Sequence, residues 1–176
     1  MPRFLTLYIQ NKRIDEEFKR YERSMLIQAW SIRPELSKKG VDKGDIIYWV
    51  TVRQGVLYLI MAMIVGERIH YEDFAQRFGR DLADWDKGNS EFFYVASKGT
   101  TIETYREVDS TDVKKIKDIY GRGLVFNPPQ SKFLDPQTLR SPRWISEESA
   151  DILNKYLEFV DVTPQHILAW RTMIPK

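Results

Sequence analysis

The chain has no cysteine, which excludes disulfides, zinc–thiolate centres and thiol nucleophiles together. Histidine is scarce too: only His70 and His166 occur, far apart in sequence, and neither has a nucleophile or second base beside it. Charge of one sign is also missing. Twenty-seven Lys and Arg against 25 Asp and Glu leave a net charge of +2, so a nucleic-acid role would have to come from clustered rather than total charge. No long apolar run is present. Val56 to Val65 is the longest, about half of the ~20 residues a membrane-spanning helix needs, so no membrane partner is expected. A basic-then-apolar leader is absent from the first residues, and cytoplasmic localisation is the expectation. Neither a Gly-x4-Gly-Lys-Ser/Thr phosphate loop nor a dinucleotide fingerprint occurs; Gly121-Arg122-Gly123 reads as a turn. No internal repeat, low-complexity tract or linker divides the chain.

What is present suffices for a folded core. Hydrophobic residues make up 43% of 176 positions, and that length fits one domain over 1–176. Arg3 to Gln10 is β-branched, leucine-rich and aromatic, a first strand. Ile14, Phe18, Tyr21 and Met25 then recur at helical spacing, with Asp15, Glu16 and Glu17 in a favourable first turn. Two central strands follow at about Asp45–Arg53 and Val56–Gly66, joined through Gln54-Gly55. Tyr71–Phe78 reads as a short helix ended by Gly79, and Glu91–Lys98 and Thr101–Glu107 as two more strands. Asp112–Tyr120 is a basic helix candidate. Phe126–Trp144, with four prolines, should be extended and irregular. Ser146 caps a helix whose apolar stripe is Ala150, Leu153, Leu157 and Val160, and Thr163-Pro164 opens a last helix. The order predicts an α+β domain around a strongly curved mixed sheet or small bent barrel flanked by helices, with a strand–helix extension in front and a helical one behind.

Two tryptophans stand out. Trp30, followed by Ser31, ends a short apolar segment, and Trp85 sits between Asp84 and Asp86 in a turn-rich stretch. Each can serve packing, or present a flat ring to a base or a methyl group. Basic residues cluster at Lys38-Lys39 with Lys43, at Lys114-Lys115-Lys117 with Arg122, and at Arg140 with Arg143. Each cluster alone reads as solvated surface. Lys132, Arg140 and Arg143, however, interleave with Phe133 and Trp144 on a proline-stiffened segment, a layout suited to phosphate contacts beside stacking. Catalysis has little to stand on. Asp15/Glu16 and Glu147/Glu148 lie in helix first turns, where the helix dipole accounts for them. No catalytic residue, metal site or cofactor is expected.

A Trp-Ser before a loop, then Lys43-Gly44-Asp45 leading two apolar strands that end in Val65-Gly66-Glu67-Arg68, resembles the EVE and YTH branch of the PUA-like superfamily. Asp84-Trp85-Asp86-Lys87-Gly88 before Phe92-Phe93-Tyr94-Val95 is similar to the loop that supplies a second pocket aromatic there. Arg140-Ser141-Pro142-Arg143-Trp144-Ile145-Ser146-Glu147-Glu148 is similar to EVE C-terminal ends. The resemblance runs from about Met25 to Phe159. It implies a bent β-barrel flanked by helices, with a pocket for a flipped or unpaired, modified base of DNA or RNA; some members are sensors in modification-dependent restriction. Trp30 and Trp85 would then wall the pocket, with Ser31 and Tyr48 beside the base. Lys38, Lys39, Lys132, Arg140, Arg143 and Trp144 would hold the nucleic-acid backbone. Ile32-Arg33-Pro34-Glu35 stands where EVE domains usually have an Asn- and Arg-rich stretch, which leaves the base unspecified. A non-enzymatic reader with an effector protein as further partner is the expected function. The rivals are a small hydrolase of modified nucleosides using Lys43, Asp45 or Glu67, and a protein-interaction module.

Overall fold

The structure is a computed structural model that describes residues 1–20, 30–31, 34–85, 91–97, 100–101 and 105–160, with side chains described over 1–16, 34–84, 91–97 and 105–158. Its centre is the hairpin of β3 (Ile46–Arg53) and β4 (Val56–His70). Gln54 (φ 52°) and Gly55 (φ 77°) are both left-handed, the backbone of a tight type I′ connection that favours glycine at its second position. Along β3, Tyr48, Val50 and Val52 enter one core while Ile47 and Trp49 enter another on the opposite face.

The partner strand is less regular. Trp49 faces Met61 but Val50 faces Leu59, so Ile60 is an extra, unpaired residue. Before it, Leu57 and Leu59 fill the first core; after it, Met61, Met63 and Val65 fill the second. A second bulge falls at Gly66, between the pairs Val65–Ala96 and Glu67–Val95. A Cβ at Gly66 would lie 2.9 Å from that of Ser97, so the close approach there requires glycine. Bulges bend a strand and strengthen its twist, which curves the whole sheet.

Strand β1 (Phe4–Tyr8) runs parallel to β3 and antiparallel to β8 (Arg143–Ile145). Strand β5 (Phe92–Ala96) pairs with the second half of β4, and β2 (Trp30–Ser31) pairs with β5. The short β7 (Arg106–Glu107) joins β4 at Tyr58 and Leu59. The order is β2-β5-β4-β3-β1-β8, a mixed α+β sheet as expected. It does not close: β2 and β8 are the edges among the described residues, so the expected barrel is instead an open, curved sheet. Strands β6 (Thr100–Thr101) and β9 (Phe159–Val160) pair separately. Of the strand expected over Thr101–Glu107, the described residues show β6 paired with β9 and β7 paired with β4.

Helix α1 (Asn11–Arg20) buries Ile14, and its Asn11 amide donates to the Val52 carbonyl at 2.9 Å. Helix α2 (Pro34–Lys38) buries Leu36. Helix α3 (Tyr71–Phe78) ends at Gly79 as expected, and its Phe74 stacks on Phe93 at 3.9 Å. It is followed by α4 (Arg80–Trp85) and, later, α5 (Ser110–Val113). Helix α6 (Glu147–Asn154) is capped by Ser146, whose hydroxyl accepts from the Ser149 N–H at 3.3 Å. Ala150 and Leu153 are buried as expected, whereas Val160 belongs to β9 and not to the helix. The helix expected over Asp112–Tyr120 stops at Val113. The helix expected from Thr163-Pro164, with His166, lies outside the described residues.

Asp45 ties β1 to the entrance of β3. Its buried carboxylate accepts from the Arg3 N–H (3.2 Å), Arg3 Nε (3.0 Å), Arg3 Nη2 (2.5 Å) and the Asp42 N–H (2.8 Å). Asp45→Ala should cost about 2–4 kcal/mol in urea denaturation, because several donors lose a charged acceptor at once. Asp45→Asn, which keeps the shape, should cost less.

Candidate nucleic-acid interface

Residues 114–144 hold seven basic and two acidic residues, a net +5 in a chain whose total is +2. Both acids are consumed internally. Asp118 is buried and accepts from the N–H groups of Tyr120 and Arg122, each at 2.9 Å, and from Arg122 Nε at 2.7 Å. Asp135 caps the 3-10 turn Pro136–Leu139 by accepting from the Gln137 N–H at 2.9 Å. The loop around Asp118 is also fixed to the sheet edge: the Ile119 N–H donates to the Trp144 carbonyl and the Ser146 N–H to the Lys117 carbonyl. Tyr120 and Arg122 are thus presented on a clamped loop, with the Arg122 guanidinium 5.1 Å from the Tyr120 ring centroid.

Apart from Met1, the large apolar side chains exposed among the described residues are Ile119, Tyr120, Val125 and Phe133, all inside this segment. Aromatic rings here are interleaved with cations. Lys132 stands 5.8 Å from the Phe133 centroid and Lys114 5.9 Å from that of Phe126. Residues 125–127 and 133–135 form a ribbon around the Phe126–Leu134 bridge. That pairing places Val125 and Phe133 on one face and Phe126 and Leu134 on the other.

The residues singled out from the sequence fall into separate regions. Arg140 is exposed three residues before β8 and Lys132 is exposed beside the hairpin turn at Gly55, and among the described residues no carboxylate pairs with either of them or with Arg143. Arg143 and Trp144 lie on β8 itself, half-buried; Arg143 donates to the Gly123 carbonyl at 3.5 Å. One face of Trp144 is already covered by the Arg3 guanidinium, 4.4 Å from its centroid, so this ring is packed and not free to stack. Trp30 and Ser31 occupy β2 at the opposite edge, facing Val95 and Tyr94. Their side chains lie outside the described residues. Lys38 and Lys39 belong with them, because Ser37 of the same helix meets the Tyr94 hydroxyl at 2.8 Å.

Trp85 ends α4 and is not a loop residue; its side chain also lies outside the described residues. The preceding Asp84 accepts from the Tyr71 hydroxyl, and the Tyr71 N–H donates to the Glu91 carbonyl, which places Trp85 near the start of β5. Tyr48 has no exposed surface. Its hydroxyl donates to Asn154 Oδ1 at 2.8 Å and burial raises its pKa, so it is a core residue with no face for a base. Five strand spacings separate β2 from β8, roughly 24 Å across the sheet. Arg140, Arg143 and Trp144 are therefore at a different edge from Trp30 and Ser31.

Sequence reading missed Ile119, Tyr120 and Val125. The available signal was Asp118 followed by Gly121, a turn pair inside what the spacing of Asp112–Tyr120 suggested was a helix. The carboxylates named for hydrolysis are engaged: Asp45 with Arg3, and Glu67 with Arg77 at 2.8 Å. His70 caps α3, its Nδ1 accepting from the Glu72 N–H at 3.4 Å.

No protein-family model and no curated protein matches the chain. Among solved structures it is similar to the crystal structure of ASCH from Zymomonas mobilis, at 11% identity over 88% of this chain and 96% of that one, with a TM-score of 0.39. A likeness that loose carries no argument about family or function.

The clamp on Tyr120 should be acid-sensitive. Burial pushes the Asp118 carboxyl up, but the Arg122 N–H, the Arg122 guanidinium and the Tyr120 N–H outweigh it and hold the pKa below the ordinary value of 3.8. A depressed carboxyl contributes stability that is complete above its unfolded pKa and lost as pH falls through the folded one. The protection factors of the Tyr120 and Arg122 amides, followed by NMR, should fall as pH drops below the ordinary carboxylate range (~3.9), ahead of those of the β3–β4 amides. Asp118→Asn should show the low protection already at neutral pH.

Proposed function

We propose that this chain is a non-enzymatic nucleic-acid-binding domain of PUA-like type, which grips the phosphate backbone on its β8 side and captures an unpaired or flipped base. The observation that carries this reading is a coincidence in one segment: the +5 of residues 114–144 and the exposed apolar side chains fall together. Lys114 and Lys132, with no carboxylate partner among the described residues, stand beside Phe126 and Phe133 and suit phosphate contact with stacking, and Tyr120 adds an exposed ring beside the Arg122 that is bonded to Asp118. A surface for a purely apolar protein partner would not need so many free cations. Binding indifferent to salt and to nucleic acid would favour that alternative.

The finer reading comes from the sequence resemblance. Trp30 pairs with β5 through β2, and Trp85 follows Asp84, which Tyr71 links to Glu91 at the start of β5. The two tryptophans are the residues proposed to wall a pocket for a modified base. Flipping a base costs a few kcal/mol, least when it is already unpaired, and stacking returns about 1–3 kcal/mol per base. A buried methyl adds only about 0.8 kcal/mol, so selectivity for a methylated base needs a hydrogen bond to its edge, the part proposed for Ser31.

The test is a binding screen against single- and double-stranded oligonucleotides, with and without modified bases, at two salt concentrations. Lys132→Ala, Arg140→Ala and Arg143→Ala should each weaken binding evenly across sequences and reduce the salt slope by about 0.7–0.9. Trp30→Ala and Trp85→Ala should instead reduce selectivity for the modified base. Equal affinity of wild type and both Trp variants for modified and unmodified strands would remove the pocket from the reading. Absence of salt-dependent binding to any strand would overturn the whole of it.

A further inference from the structure

A cavity of about 210 Å³ opens beside the hairpin turn, away from Trp30 and Trp85. Its floor is Gly55, Val56 and Leu57. One wall is Lys132, Phe133 and Leu134; the other runs from Glu107 to Ser110 and ends on Val113. Both walls are bonded to the same turn, the Leu134 N–H to the Gly55 carbonyl at 2.7 Å and the Val108 N–H to the Leu57 carbonyl at 2.9 Å. The spacing between them is thus set by the start of β4.

The Phe133 ring is 47% exposed, yet its seat is fixed. A Cβ on Gly55 would lie 2.8 Å from Phe133 Cδ1 and 2.9 Å from its Cβ, so the phenylalanine rests directly on glycine backbone. Opposite it are hydrogen-bond acceptors. Asp109 uses its carboxylate to cap α5, its Oδ1 accepting from the Thr111 N–H and hydroxyl at 2.7 and 2.5 Å. The Glu107 carboxylate has no donor among the described residues, and Ser110 adds a hydroxyl to the same wall. Lys132 supplies a cation on the Phe133 side, 5.8 Å from the ring centroid.

We infer that this cavity is a second base subsite, for a single unpaired base with its amino group at the position of cytosine N4 or adenine N6. It rests on the proposal that nucleic acid lies across this face. The volume is below the ~300–1,000 Å³ of sites for drug-sized molecules, which suits one planar ring system. Phe133 stacks on the base, the carboxylates of Glu107 and Asp109 accept from its amino group, and Lys132 meets the phosphate outside. The polarity matches a nucleotide, anionic at one end and hydrogen-donating at the other. A peptide ammonium fits less well, since Lys132 already places a positive charge on the ring.

Fluorescence anisotropy with 5′-labelled single-stranded homo-oligomers of C, A and U tests the assignment. Wild type should bind the C and A strands about tenfold more tightly than U, because uracil has no amino group to donate to the carboxylates of Glu107 and Asp109. Glu107→Gln, at an exposed position, should bring the three within about twofold of one another. Phe133→Ala should weaken C and A binding about tenfold, with melting curves showing that it folds. Wild type that binds all three strands equally, with Phe133→Ala unchanged, overturns the subsite and leaves the domain a nucleic-acid binder. Wild type that binds none overturns both. A trimethyllysine peptide that binds at Glu107 while base preference is absent also overturns it, assigning the cavity to a protein cation.

Discussion

The main sheet of the described residues is organised on one strand. Strand β4 gives one edge to β3 along most of its length and divides its other edge between β7 and β5. A straight strand of fifteen residues would offer one face to each core throughout. The bulge at Ile60 reverses that assignment midway, so Leu57 and Leu59 support α6 and the 114–144 segment while Met63 and Val65 support α2. The bulge at Gly66 then re-aims the strand towards β5 and the helices packed on it. Without those two irregularities the three apolar clusters would compete for the same faces.

Electrostatics on the β8 side follow from how few acids are left to neutralise it. Asp135 spends its charge on a backbone N–H at a helical turn, and Asp118 spends its own inside a loop on two backbone N–H groups and the Arg122 guanidinium. Their negative charge is thereby fixed in the scaffold while the basic side chains remain outside. Aromatic rings among them are exposed on backbone that is hydrogen-bonded at nearly every step. The arrangement has low conformational entropy to lose, which is what distinguishes a preorganised surface from a merely basic one.

The hairpin was legible because its apolar run is bounded by Lys43-Gly44-Asp45 and broken by Gln54-Gly55, and both signals are local. Helix α3 and the Ser146 cap were legible for the same reason. The bulges were not: Ile60 looks like any other apolar residue, and its extra length shows only against the partner strand. Asp118 misled because its side chain closes a loop where the lysines around it suggested helix. Tyr48 looked available only because the sequence does not show that Asn154 lies opposite its hydroxyl. The cavity beside Gly55 was invisible, since its walls come from three stretches of chain with no shared motif.

The position of β1 has a consequence for when the molecule becomes complete. Phe4 faces Ile46 on one side and Ile145 on the other, so the first strand is inserted between an early strand and a late one. Among the described residues β8 has no other ladder partner, and the loop carrying Tyr120 is bonded to β8 in turn. Such pairings are distant in sequence and form only after the chain has closed large loops. During synthesis the hairpin can exist well before the basic face does. That face is a product of finished folding, and a ribosome-bound chain still short of β8 carries the lysines without the surface they make.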